Sequence, residues 1–400
     1  MAQVIWLCAS LQYLWKFIQT QACLMIAHAK KLATLVLITG MVIHGQGQDQ
    51  PSDETIFTFY GFGRTVFVWD DQNMGRSDLF VPANIQVGAT KNPQFFIGAK
   101  QTRLGLDVKH TVGEDVVTVK LEGDFHNDAS DANGLFRMRH AYVNYRFVLI
   151  GMTWSNFFDE EVNPVTVDFE GPNSSTLSRT PQVRFSTFKS RNVLSLSFEN
   201  PVEAVTVGGS ITVLPERFPD IVGAYRVNGD FGFVKLAALY KEIRYQSDMA
   251  RSLPGYGLTL MTSIKAGEKD KLRFQGVMGT GVAKYIQGAS GLNYDAIYNG
   301  TPTLETLQMR GSNISYQHFW TDHAHSSVTA GWLGVEDNAN LAGTAYQSGY
   351  YGSVNFLWDA VKNLTLGGEF LAGERINVDK EKSAAFRVQM NATYKFNKTF

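Results

Sequence analysis

Residues 386–397 read FRVQMNATYKFN. Phe386, Val388, Met390, Ala392, Tyr394 and Phe396 alternate with Arg387, Gln389, Asn391, Thr393, Lys395 and Asn397. An extended chain therefore sets one wholly apolar face against one wholly polar face. At ~3.3 Å per residue this segment outspans the ~25 Å apolar band of a membrane barrel, whereas a strand of a soluble sandwich is usually about 5–6 residues long. The pattern recurs upstream. Thr102, Leu104, Leu106 and Val108 alternate with Arg103, Gly105, Asp107 and Lys109, and Val117, Val119 and Leu121 with Thr118, Lys120, Glu122 and Asp124. Too little else in the chain can cover so much apolar face from water. Closing the sheet with that face toward lipid removes both the exposed surface and the free edges.

Sixteen segments carry the pattern: roughly 55–70, 95–109, 115–126, 136–147, 148–156, 181–189, 192–199, 219–228, 231–244, 256–266, 271–285, 305–320, 326–337, 346–358, 363–375 and 384–397. The number is even, as a single-chain bacterial barrel requires, and large enough for an aqueous channel. Short turns, such as Asn228-Gly229-Asp230 and Asp359–Lys362, largely alternate with long polar connections at 71–94, 157–180, 200–218 and 286–304. Such barrels sort their periplasmic turns and outside loops in this way. The expected fold is all-β, a transmembrane antiparallel β-barrel of about sixteen strands.

Composition agrees. Only 18% of residues are charged against the ~25% of soluble domains, while aromatics reach 12%. Lys+Arg is 36 and Asp+Glu 37, with no basic run to neutralise phosphates, which excludes a nucleic-acid binder. Both cysteines, Cys8 and Cys23, fall in the first 48 residues, which also hold Lys16, Lys30 and Lys31 and no acidic residue. Lys30-Lys31 followed by LATLVLITGMVIHG (32–45) is the charged and apolar sequence of a signal peptide, too short for a helical span. Residues 1–48 are therefore expected to be a signal peptide. Residues 25–48 alone would serve, so Met25 stands as an alternative start. Residues 49–400 are expected to form a single barrel domain without cysteine, carrying 33 basic against 37 acidic residues.

Residues 137–186 narrow the reading. RMRHAYVNY (137–145), LIGMTWSNFFDEE (149–161), TVDFEGP (166–172) and RTPQVRFS (179–186) resemble the DcaP-like trimeric porins of Gram-negative outer membranes. GFGR (61–64) and QTRLGLDV (101–108) resemble that family's first strands. The likeness is dense over roughly 55–190 and loose after it. It implies a homotrimer in the cell outer membrane, passing small and often anionic solutes such as dicarboxylates through a water-filled channel by passive diffusion. It also implies that 157–180 is the third outside loop, folded inward to narrow the channel. Some members carry a coiled coil ahead of the barrel, and this sequence departs from them there. The terminal Phe400, after a strand with Tyr394 and Phe396, resembles the signal read by the barrel assembly machinery, and outer-membrane lipid is the expected surrounding.

Within that frame the loop supplies Asp159, Glu160, Glu161, Asp168 and Glu170. Strand parity turns Arg64, Arg103, Lys120, Arg137, Arg139 and Arg184 toward the lumen, with Arg179 where the loop returns to the wall. Opposed charges across a narrow gap make a transverse field that sets charge preference. Arginine suits carboxylates because its planar fork donates two hydrogen bonds at once. The plainer reading is that these charges solvate the wall and pair with each other, Arg179 and Arg184 anchoring the loop through Asp168 or Glu170. His140 and Tyr142 fall on the face opposite Arg137 and Arg139, so His140 meets a subunit interface or marks a bulge. Gly61, Gly63 and Thr65 leave the outer face of the first strand small, which would suit subunit contact. Asp70, Asp71 and Asp78 read as outside-loop charges in water.

No HExxH, Walker A, GxSxG or metal-spaced cluster is present in the sequence, and no cofactor is expected. The alternatives are a substrate-specific outer-membrane transporter and a barrel enzyme such as an outer-membrane phospholipase. For the enzyme the candidates are His318 near Ser315, and His323 with His325 near Ser326.

Overall fold

A computed structural model describes residues 53–75, 78–126, 134–202 and 204–400. The expected signal peptide and its alternative start at Met25 lie outside the described residues.

Sixteen antiparallel strands make one closed wall. They are β1 (Glu54–Asp70), β2 (Arg103–Val112), β3 (Asp115–Asp124), β4 (Arg137–Tyr145), β5 (Val148–Trp154), β6 (Arg179–Lys189), β7 (Asn192–Glu199) and β8 (Asp220–Gly229). The second half comprises β9 (Gly232–Gln246), β10 (Ala250–Lys265), β11 (Lys271–Thr280), β12 (Gln308–Phe319), β13 (Ala324–Val335), β14 (Tyr346–Val361), β15 (Leu364–Asn377) and β16 (Lys382–Thr399). The ring closes where Thr58–Asp70 pairs antiparallel with Thr399–Arg387. Closure leaves no open edge to recruit another chain.

The wall is inverted relative to a soluble protein. In β16 Phe386, Val388, Met390 and Tyr394 are 38–57% exposed, while Arg387, Gln389, Asn391 and Thr393 are at most 4% exposed. The apolar face looks outward and the polar face lines the interior. Seven tight turns and both ends of the wall share one rim. Phe400 N–H donates to Phe57 O at 2.9 Å, and Phe57 N–H to Phe400 O at 3.2 Å. Asn363 (φ 70) and Gly113 (φ 59) supply the left-handed backbone that two of these turns need.

The expected strands differ from the observed ones at three breaks. The segment 95–109 splits into Gln94–Gly98 and β2, both paired to β1, with a break at 99–102. The segment 271–285 ends as a strand at Thr280 and continues as a 3-10 turn, Ala283–Tyr285. The segment 305–320 is interrupted at Leu307, after a short strand Leu304–Thr306. In each case the chain leaves the wall to pack inside the barrel, which alternation alone does not report.

The bulge expected at His140 is present, while other expectations are corrected. A bulge between Glu122 and Gly123 of β3 leaves Arg139 of β4 without a register partner. The extra residue turns both Arg139 and His140 inward, at 5% and 6% exposure. Tyr142 follows them inward and lines an interior recess instead of the outer face. Gly61 is not an open contact surface: a Cβ there would meet the Phe396 ring at 2.8 Å and Arg103 O at 2.3 Å. The missing side chain is filled by Phe396, paired with Phe59 at 5.7 Å. Asp70, Asp71 and Asp78 are not in water, being 0%, 4% and 2% exposed, because the described parts of the first outside loop (71–75 and 78–93) fold into the barrel.

Candidate functional site

The third outside loop (155–178) crosses the interior. Phe157, Val162 and Val167 are fully buried. Its grip on the far wall is polar. Asp168 N–H donates to Glu369 Oε2 at 2.5 Å, Asn355 Nδ2 to Val165 O at 2.8 Å and Asn173 Nδ2 to Gly349 O at 2.9 Å. Gln275 Nε2 donates to Thr176 Oγ1 at 2.6 Å and Lys235 Nζ to Phe158 O at 2.6 Å. These partners lie on β15, β14, β11 and β9, so the loop spans the lumen at several points.

Between this loop and β1–β6 lies a cavity of about 330 Å³. Arg64, Arg103, Arg137, Arg139 and Arg179 all line it, with Phe62, Trp154 and Phe169 between them and Glu160, Asp168 and Glu170 on the loop side. Five guanidiniums share one small space, so their neutralisation decides its chemistry.

Two acids on the inner face of β3 account for part. Arg137 holds Asp124 with both forks, Nε–Oδ1 2.9 Å and Nη2–Oδ2 2.8 Å. Arg139 donates to Glu122 Oε1 at 2.9 Å and Asp124 Oδ2 at 2.8 Å. Arg103 Nη1 stands 3.4 Å from Glu122 Oε1. Glu122 and Asp124 were not among the expected site residues, although they share the inward parity of Lys120 on β3. Arg64 instead donates to Thr393 Oγ1 at 2.9 Å and Gln101 Oε1 at 3.1 Å, with no carboxylate at ion-pair distance among the described residues. Arg179 lies over the Trp154 ring at 4.5 Å, and its Nη1 is buried with no hydrogen-bond partner. Arg103 Nε is likewise buried and unpartnered. Desolvated donors of this kind cost free energy unless a ligand accepts from them.

The acidic loop does not oppose the arginines as a block. Asp159 pairs with Arg226 at 2.8 Å and Lys235 at 3.6 Å, and Glu161 with Arg226 at 2.6 Å. Both acids are thus turned to β8 and β9. Glu160, Asp168 and Glu170 remain on the cavity. Asp168 accepts from the backbone N–H groups of Phe80 and Gly171 at 3.2 and 3.0 Å and from Tyr351 Oη at 3.1 Å. Burial outweighs these bonds and pushes its carboxyl up to about 6. Burial likewise pushes Glu170 up to about 7, against the lowering effect of its bond to Gln287.

Two expected members lie elsewhere. Lys120 pairs with Asp107 at 3.1 Å and lines a separate recess with Thr58, Thr118 and Tyr142. Arg184 donates to Gln182 Oε1 at 2.9 Å and to Trp154 O, outside the arginine cavity. Neither Arg179 nor Arg184 anchors the loop through Asp168 or Glu170 among the described ion pairs. The candidate hydrolytic pairs are separated by strand parity. Ser315 is buried inside at 1% exposure, whereas His318 donates through Nδ1 to Asp270 Oδ2 at 2.8 Å and packs on Trp320 outside. His325 meets Gln317 inside at 3.3 Å, whereas Ser326 accepts from Trp320 Nε1 at 2.9 Å. His323 sits in the turn that joins β12 to β13.

The profile of the DcaP outer membrane protein family matches residues 45–396. Among solved structures, the outer membrane channel DcaP of Acinetobacter baumannii is similar over 88% of this chain and 100% of its own, with a TM-score of 0.75 and 24% identity. The anion-selective porin from Comamonas acidovorans is similar over 86% of this chain and 100% of its own, with a TM-score of 0.57 and 12% identity. The trimer form of the outer membrane protein OmpT of Vibrio cholerae covers the same shares at a TM-score of 0.55 and 12% identity. No curated protein sequence matches this chain.

Proposed function

We propose that this chain, which belongs to the DcaP outer membrane protein family, passes small anions by passive diffusion through its arginine-lined cavity. It is a β-barrel porin of the outer membrane. The observation that carries the anion reading is that five guanidiniums and three carboxylates line one narrow space, with Arg179 Nη1 and Arg103 Nε buried and unsatisfied. A carboxylate about 4 Å from such a charge gains roughly 4 kcal/mol at an effective dielectric of ~20 but only about 1 kcal/mol in bulk water. Charges on the outer surface are screened within ~8 Å at physiological salt, so the slightly acidic overall balance does not set the preference.

Dicarboxylates are the favoured class. Arg64 and Arg179, neither paired to a carboxylate among the described residues, approach the cavity from β1 and β6, so two anionic groups on one solute can be met together. Arg137 and Arg139, held by Asp124 and Glu122, supply a fixed basic floor, and Glu160 the opposing edge of the field. Lys120 and Arg184 act outside this cavity, Lys120 toward the second recess. No step of this passage calls for nucleotide, metal or cofactor, and the barrel works as a channel and not as an enzyme. A homotrimer is the assembly, as in the trimer form of the Vibrio cholerae relative. Residues 1–48 are its signal peptide and residues 49–400 its barrel domain, with Phe400 read by the assembly machinery.

Competition in planar bilayers tests the solute class. Succinate is expected to permeate or block in the low millimolar range while 1,4-diaminobutane leaves the current unchanged. Equal effects of the two, or block by the diamine alone, would remove the dicarboxylate assignment.

A further inference from the structure

The sixth outside loop (281–307) does not lie over the mouth of the barrel. Val282, Ala283, Tyr285, Ile286 and Ala289 are fully buried, in two short 3-10 turns, Ala283–Tyr285 and Gln287–Ala289. They join one apolar cluster with Phe157 and Val162 of the third loop. The wall side of the cluster is Ala224, Ala237, Met261 and Val277, which point inward from β8, β9, β10 and β11. A barrel wall that meets water inside carries polar side chains there. This part of the wall turns an apolar face to lipid and, interspersed with Lys235, Thr259 and Gln275, a patch of apolar side chains inward to the loop. It encloses a dry core and not a channel.

The loop is fastened at its far end by buried charge. Lys241 Nζ donates to Asp295 Oδ2 at 2.8 Å with both side chains fully buried. Asp295 also accepts from the N–H groups of Ala204 and Lys284, and Tyr285 Oη donates to Asp220 Oδ2 at 2.7 Å. Two backbone bonds then splice the sixth loop to the third: Gln287 N–H to Ser175 O and Gly288 N–H to Asn173 O, both at 2.8 Å. Contact is so close at Gly288 that a Cβ would lie 2.6 Å from Asn173 O and 3.0 Å from its Cα. Gln287 reaches past the splice to line the arginine cavity beside Glu170.

We propose that the sixth loop is a second constriction element, which fills the β8–β11 side of the lumen and clamps the third loop against the arginine side. Solutes then pass only where the guanidiniums stand, and selectivity depends on a loop that contributes no charge to the cavity. The inference rests on the anion-channel reading and adds the element that enforces the path. Asp295, Tyr285 and Gly288 are positioning residues in this scheme.

The cysteine-free sequence after residue 48 makes the test clean. Thr118→Cys, on the second recess, and Ala237→Cys, beneath the sixth loop, are exposed to a membrane-impermeant cationic thiol reagent in the assembled protein. Thr118→Cys is expected to react and Ala237→Cys to stay protected. Replacing residues 284–303 by a short Gly-Ser linker is expected to make Ala237→Cys reactive, to raise single-channel conductance by roughly twofold, and to weaken anion preference, because current then also flows far from the arginines. Gly288→Val, which keeps the loop but cannot keep the splice, is the milder variant should the replacement fail to assemble. Labelling of Ala237→Cys in the intact barrel would overturn the proposal. So would unchanged conductance and selectivity once the loop is replaced. An intact channel without anion preference would instead overturn the reading of function, and the labelling would still decide the place of the loop.

Discussion

Arg179 holds a buried N–H with no partner, 4.5 Å above the Trp154 ring, and Arg103 holds another. Arginine at both positions follows from strand parity and from the basic residue that ends the loop, so these members were legible in the sequence. What neutralises each of them was not. Glu122 and Asp124 sit in the same alternation as Lys120, yet only the β4 bulge brings Arg139 within reach of both. The two arginines with unsatisfied buried donors are the sensitive ones. Arg103→Ala with Arg179→Ala is expected to reduce the anion-to-cation permeability ratio about tenfold, equivalent to roughly 1.4 kcal/mol at the constriction. Arg103→Ala with Arg184→Ala should do less, since Arg184 lies outside the cavity. Equal losses from the two double variants, read as reversal potentials, would undo the assignment. Glu170 adds a pH dependence. Its carboxyl is pushed up to about 7, so it is neutral below that pH and adds a negative charge to the cavity above it. Anion preference should therefore rise as pH falls from about 8 to about 6, and Glu170→Gln should flatten the rise. A slope unchanged in Glu170→Gln would assign the titration to another group.

The strands were the most legible elements, because alternation with period two is a direct consequence of a wall between lipid and water. FRVQMNATYKFN keeps its phase through the whole of β16, with Arg387 inside and Phe386 outside. The loops were the least legible. Residues 281–285 look like the end of an alternating strand, but Val282, Ala283 and Tyr285 serve a core inside the barrel. A sequence period cannot say which way a connection folds. The first loop misled for a related reason: Asp70, Asp71 and Asp78 read as wet charges, yet Asp70 forks with Arg387, and Asp78 meets His126 at 2.6 Å. The end of β16 carries its own prediction. Phe400 is 73% exposed, pairs with Phe57 through backbone bonds and has Lys398 Nζ 5.9 Å from its ring centroid, so its ring contributes little to the folded barrel. Deleting Phe400 is expected to lower the yield of heat-modifiable trimer in outer-membrane fractions several-fold. The protein that does assemble should keep its conductance. Normal trimer yield without Phe400 would show that assembly reads another feature.

At the scale of the whole molecule, the barrel is a wide ring that three inward loops reduce to an eccentric passage. The closed sheet supplies the frame, the dry core against β8–β11 closes one side, and five guanidiniums line the other. The overall balance of 36 basic and 37 acidic residues points nowhere. Local geometry sets the sign, because low-dielectric walls focus the field of the nearest charges. The zero-current potential of single channels across a potassium chloride gradient is the most direct measurement of that sign. With five guanidiniums on the passage, a potential of the sign set by chloride is expected, growing as the pH falls. A potential of the sign set by potassium, in channels of intact trimers, would contradict it.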